Sequence, residues 1–181
     1  MHTQGRLNDA KELTQEILQV YIREIGKEHP TTLTIMEELA SIYESQSDFK
    51  KAEELCSEVI ALKKKVLGDE HVLTLESMEN LAVTLEQQNG SVEAEKILIG
   101  VIDEKRKTFS REHPCAPSSI EHIALVLINQ GRTQAAAEWA YEAINIGKAT
   151  LNQDNLGNLN LEAVMVKIYI CESYRRISLR E

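Results

Sequence analysis

The sequence is poor in the residues that β-rich folds need at their turns and cores. Aromatics make up 4% of its 181 residues, alongside 3 prolines and 8 glycines. Sandwiches and barrels use more of each, which points away from those classes and towards helix. There are 3 cysteines, Cys56, Cys115 and Cys171, odd in number and far apart. They match no zinc or redox spacing, so reduced, inert thiols are expected. No stretch approaches the ~18 consecutive apolar residues of a membrane span. The opening MHTQGRLNDAKELTQ is polar and has no signal-peptide core. A cytoplasmic chain without a membrane partner is the expectation. Cations are outnumbered as well: 20 Lys and Arg against 29 Asp and Glu leave a net charge of −9. Phosphate backbones need basic surface, so nucleic acid is not an expected partner. Nucleophile elbow, glycine-rich phosphate loop and HExxH are all missing. Catalysis and cofactors have no support, and the chain is read as non-enzymatic.

What the sequence does have is periodicity. Slid against itself by 42 residues, it aligns Glu28-His29 with Glu70-His71 and Glu112-His113, and more weakly with Asp154-Asn155. Leu39-Ala40, Leu81-Ala82 and Ile123-Ala124 form a second column. Ala10, Ala52, Ala94 and Ala136 form a third, and Ile25, Leu67, Phe109 and Leu151 a fourth. Coincident columns of this kind mark a tandem repeat. The chain is read as a single array over 1–181, with units near 29–70, 71–112 and 113–154 and partial units at 1–28 and 155–181.

Each unit resolves into two helices. In the first, Ile35/Met36, Leu39 and Ile42/Tyr43 keep a 3.6-residue period. It stops at Gln46-Ser47-Asp48, whose counterparts are Gln88-Asn89-Gly90 and Gln130-Gly131-Arg132. Such residues compete for backbone hydrogen bonds and favour a turn and a cap. The second helix carries Ala52, Leu55, Val59 and Leu62 on one side and is expected to end in a left-handed cap at Gly68, as at Gly26. About eight helices are expected, at roughly 7–25, 32–46, 49–67, 74–88, 91–109, 117–130, 133–150 and 158–172. One amphipathic pair cannot bury its own apolar face, whereas stacked pairs can. The fold class is therefore all-α, an α-solenoid.

Leu39-Ala40-x-x-Tyr43, then Phe49, Ala52 and Val59-Ile60, resembles the tetratricopeptide repeat in order and spacing. Leu67-Gly68-Asp69-Glu70-His71 followed by Glu79-Asn80-Leu81-Ala82 is similar to the 42-residue variety of kinesin light chains. The same variety occurs in receptor-like proteins with nucleotide-binding domains. The resemblance covers nearly the whole chain. It implies a right-handed superhelix in which first helices line a concave groove for a protein partner.

Two kinds of site could be built on this frame. His29, His71 and His113 stand one per unit beside carboxylates, a possible metal or acid/base ladder. Neighbouring units lie about 10 Å apart, too far for two histidines to share a zinc at about 2 Å. They are read instead as linker residues that bond backbone between units. The second kind is charge. The three first helices contain no lysine or arginine, but carry Glu37, Glu38, Glu44, Glu76, Glu79, Glu86 and Glu121. Lysines such as Lys50, Lys51, Lys63, Lys64 and Lys65 sit on second helices. An acidic groove would favour a basic peptide or helix and speed its approach.

By the kinesin-light-chain resemblance, Asn80 stands where an asparagine holds an extended peptide backbone. Glu38 and His122 take that place in the flanking units. The basic residues that receive acidic cargo in those proteins are missing from these first helices. Ser41, Gln87 and Asn129, with apolar Val83 and Leu125, complete the expected partner-binding set. The alternative reading is a structural scaffold or the sensing repeats of a larger receptor-like protein. It rests on the ends: a first helix without its partner, and a last one whose Leu159, Leu161, Met165, Ile168 and Tyr169 would serve self-association.

Overall fold

A computed structural model describes residues 2–108 and 116–150. They form α1 (His2–Ile25), α2 (Pro30–Ser45), α3 (Phe49–Leu67), α4 (Val72–Gln87), α5 (Ser91–Thr108), α6 (Ala116–Asn129) and α7 (Thr133–Thr150). Among the described residues there is no strand. The expected helix at 158–172, and the repeat columns at Phe109, His113 and Leu151, lie outside them.

The chain divides into two compact units, Met1–Asn89 and Gly90–Glu181. In the first, α1 packs on α2, α2 on α3 and α3 on α4; in the second, α5 packs on α6 and α6 on α7. This neighbour-to-neighbour packing is that of stacked helical repeats. In the first unit Leu33, Met36 and Val59 form a buried cluster, with Leu18, Leu55 and Leu62 packed against it. Ala52, Ala94 and Ala136 have no exposed surface. Ala10, in the same column on α1, is half-buried; a small side chain at a fully buried position lets neighbouring helices pack closely, which fits alanine at the other three.

The connections inside a repeat are built as the sequence suggests, with one change of place. Asp48 N–H donates to Tyr43 O at 2.9 Å and Ser47 N–H to Glu44 O at 2.8 Å. Arg132 to Leu127 (2.8 Å) and Gly131 to Ile128 (2.9 Å) repeat the pattern. These are Schellman caps, which need a positive φ at their middle residue. Ser47 (φ 59°), Asn89 (φ 64°) and Gly131 (φ 74°) supply it. The left-handed cap therefore lies at this column and not at Gly68. Gly68, at φ 98° and ψ 164°, adopts an extended backbone open only to glycine. Gln4-Gly5-Arg6 aligns with the turn column at Gln130-Gly131-Arg132 but is helical and belongs to α1.

The turns are tied down by side chains repeating at the same 42-residue offset. Gln88 Nε2 donates to Phe49 O at 3.4 Å and to Glu53 at 2.8 Å. Gln130 does the same to Ser91 O (3.0 Å) and Glu95 (3.2 Å). Thr32 and Thr74, both fully buried, donate their hydroxyls to the carbonyls of Gly26 (2.8 Å) and Gly68 (2.9 Å). Carbonyls at a helix end have no partner within the helix, and these hydroxyls supply one.

Candidate functional site

Two of the three linker histidines, His29 and His71, are helix caps, and His113 lies outside the described residues. His71 precedes α4 with φ −69° and ψ 137°, and its Nδ1 accepts the backbone N–H of Leu73 at 3.2 Å. His29 accepts from Thr31 in the same way before α2, whose first residue is Pro30. A proline at that position has no N–H to leave unpaired and a φ already suited to helix. The histidines thus bond backbone within their own helix rather than between units, as an Asp or Ser cap would. Among the described residues no group of three or more His, Cys, Asp or Glu is placed to hold a metal ion. Cys56 is buried, and burial, with the carboxylate of Glu44 second, pushes its thiol up to about 11. So little thiolate exists near neutrality that the side chain is unreactive. Cys115 and Cys171 lie outside the described residues.

The glutamates of the first helices separate into two kinds. Glu37 accepts from Lys63 Nζ at 2.8 Å and from Ser77 Oγ at 2.6 Å. Lys63, on α3, is buried, and its Nζ also donates to Leu73 O at 3.2 Å. Glu37 therefore ties α2 to α3 and α4, and its charge is neutralised inside the fold. Glu44 accepts the hydroxyl of buried Thr84, which fixes the carboxylate without cancelling its charge. Glu79 is 5% exposed and partnered. Glu86 is half-buried and accepts from Gln87 at 3.4 Å. Glu38 and Glu76 are the other kind: exposed, and in no ion pair among the described residues. Ser41, Asn80 and Gln87 are exposed beside them and Val83 is half-buried.

Three of the expected residues come together. Glu37, Glu76 and Asn80 share a cleft of about 200 Å³ formed by α2, α3 and α4. Its remaining wall is mostly apolar, with Pro30, Leu33, Val66, Leu67 and Leu73. The residues expected on α6 belong to the second unit. There Glu121, His122 and Leu125 are half-buried and Asn129 is exposed. The Nδ1 of His122 is buried without a partner. Leu159, Leu161, Met165, Ile168 and Tyr169 lie outside the described residues.

Lys63 and the apolar wall are missing from the sequence-based set, in which Lys63 stands only among the lysines of the second helices. The sequence does carry a signal for Lys63. The 42-residue offset aligns Lys63 with Lys105 and Ser77 with Ser119. Both lysines are buried, and Lys105 donates to Ser119 at 2.9 Å. A lysine recurring between apolar positions of a helix is a candidate for a buried, paired ammonium.

Tetratricopeptide repeat profiles match residues 1–65, 31–99 and 118–156. No curated protein matches the sequence. Among solved structures, a Podosopora anserina protein of nearly identical TPR-like repeats, provisionally assigned as a kinesin light chain, superposes with a TM-score of 0.76 at 26% identity. The match covers 98% of this chain and 84% of that one. A single-residue variant of that protein gives a TM-score of 0.77 at the same identity and coverage. BtubC (BKLC) from P. vanneervenii shares the fold, with a TM-score of 0.71 at 18% identity over 99% of this chain and 76% of its own.

Proposed function

The chain belongs to the tetratricopeptide repeat family, with repeats of the kinesin-light-chain type, and so is a protein–protein interaction module; we propose that the α2–α4 face binds a peptide or helix of net positive charge. Nothing in this reading calls for catalysis. The observation that carries it is the pair of exposed, unpaired carboxylates, Glu38 and Glu76, on two helices without a single lysine or arginine. Glu37 does not add to that charge, because the buried Lys63 ammonium pairs with it; Glu44 keeps its charge, but at a half-buried position where the Thr84 hydroxyl holds it. The acidic face is thus narrower than seven glutamates would make it, and it sits where Ser41, Asn80 and Gln87 are exposed to a peptide backbone. Screened surface charges act chiefly on approach rate and partner choice.

A panel of labelled peptides of equal length and opposite charge tests the reading by fluorescence anisotropy. Basic peptides are expected to bind, more weakly as salt rises, and Glu38→Lys with Glu76→Lys is expected to abolish binding. Affinity indifferent to salt and to both reversals would sink the proposal.

A second reading, self-association, is favoured by α1. Leu13 (59% exposed), Ile17 (38%), Val20 (44%) and Tyr21 (37%) form an outward stripe at helical spacing. A second copy of the chain is the proposed occupant, through the same stripe. Light scattering at rising concentration is expected to show a dimer that Leu13→Glu with Ile17→Glu dissociates. A strict monomer throughout excludes it.

A further inference from the structure

The cleft between α2, α3 and α4 has a composition unlike the rest of the acidic face. Its walls are apolar, and two of them, Val66 and Leu73, are each 43% exposed. Large aliphatic side chains left open around one concavity are a mark of contact surfaces. Its polar floor makes no demand on an occupant. Lys63 is already bonded to Glu37 and to Leu73 O, and Glu37 to Ser77. An apolar group entering there strands no charge and breaks no hydrogen bond, the condition under which such burial is favourable. The size is also right: the cleft holds about 200 Å³, and a cavity of about 150 Å³ is enough for benzene.

The rim supplies the complementary half. Leu73, Glu76 and Asn80 line the cleft from α4 at spacings of three and four residues, so they follow one face of that helix. Glu76 and Asn80 are separated by about 6 Å of helix axis, four residues at about 1.5 Å each. An extended chain covers that distance in about two residues. We infer that the cleft is the anchor pocket of the proposed groove: it takes one aliphatic or phenyl side chain of a bound extended segment, whose lysine or arginine, adjacent or two positions away, meets Glu76 while Asn80 bonds its backbone. This rests on the acidic-groove reading and adds to it a required apolar residue. Specificity then comes from a short pattern and not from charge alone, since a buried methylene adds discrimination to what surface charge supplies.

Panning a displayed library of random peptides against the intact chain tests it. Enriched peptides are expected to share Leu, Ile, Met or Phe next to, or two positions from, Lys or Arg. Leu73→Asp, at an exposed wall position, should weaken the best of them by about tenfold or more. Thr34→Trp, which plugs the cleft from its rim, should do the same, and far-UV circular dichroism checks that both variants remain helical. Basic peptides enriched without any apolar preference, or affinity unmoved by both variants, would overturn the anchor and leave the acidic groove standing. Enrichment of no basic peptide at all overturns both.

Discussion

Glu37→Ala is expected to destabilise the first unit by about 3 kcal/mol, far more than the loss of a surface glutamate. The Lys63 side chain is 8% exposed and that of Glu37 24% exposed, so the substitution leaves an ammonium buried with one carbonyl as its remaining acceptor. Breaking such a pair from one side typically costs about 3–5 kcal/mol, and the partial exposure of Glu37 puts this case at the lower end. Replacing both partners by apolar groups of similar shape, Glu37→Leu with Lys63→Met, should return stability to within about 1 kcal/mol of the parent, since neither charge then needs solvation. Urea unfolding followed by circular dichroism measures both. A single variant as stable as the parent would show that the pair is a surface contact. The double variant also separates structure from recognition. If it still binds basic peptides, Glu37 takes no part in their recognition, and the charge preference lies with Glu38 and Glu76.

Leu33→Ala is expected to cost a further class of energy, about 3–4 kcal/mol, by opening a cavity under the same cleft. Leu33 is 1% exposed and packs with Met36 and Val59 against side chains of α1 and α3. Helices α2 and α3 are each held by neighbours on both sides and cannot collapse into the space. A loss of that size is a large fraction of the ~5–15 kcal/mol that stabilises a domain. Leu73→Ala is the matched control: the same chemistry at a site 43% exposed should cost under about 1 kcal/mol. Thermal and urea midpoints for the two variants decide the matter. Equal losses at positions 33 and 73 would mean that the buried cluster is not the core of the unit.

Much of the architecture is legible in the residues themselves. The 42-residue offset, the helix spans to within a few residues, the turn columns and the alanine column all follow from local periodicity, because helix geometry repeats every few residues and the stack repeats with the unit. The caps are legible only in part. His71 and Gly68 announce a helix boundary in the sequence, but whether a histidine binds a metal or its own backbone depends on what surrounds it. Here the answer is the N–H of Leu73.

The proposed acidic groove is where sequence runs out. Glu37 and Glu38 are adjacent in the chain and identical in chemistry, yet one is paired inside the fold and the other faces solvent. Successive residues on a helix are rotated by about 100°, so which carboxylate points outward is set by how α2 is turned against its neighbours. That rotation is fixed by packing with α3, whose Lys63 lies 26 residues further along the chain. The repeat, its helices and its small-residue crossings were therefore determined by sequence alone, through patterns that are local. The short list of carboxylates left exposed, and the apolar cleft beside them, were decided by tertiary contacts, because exposure belongs to the assembled helices and not to any one residue type.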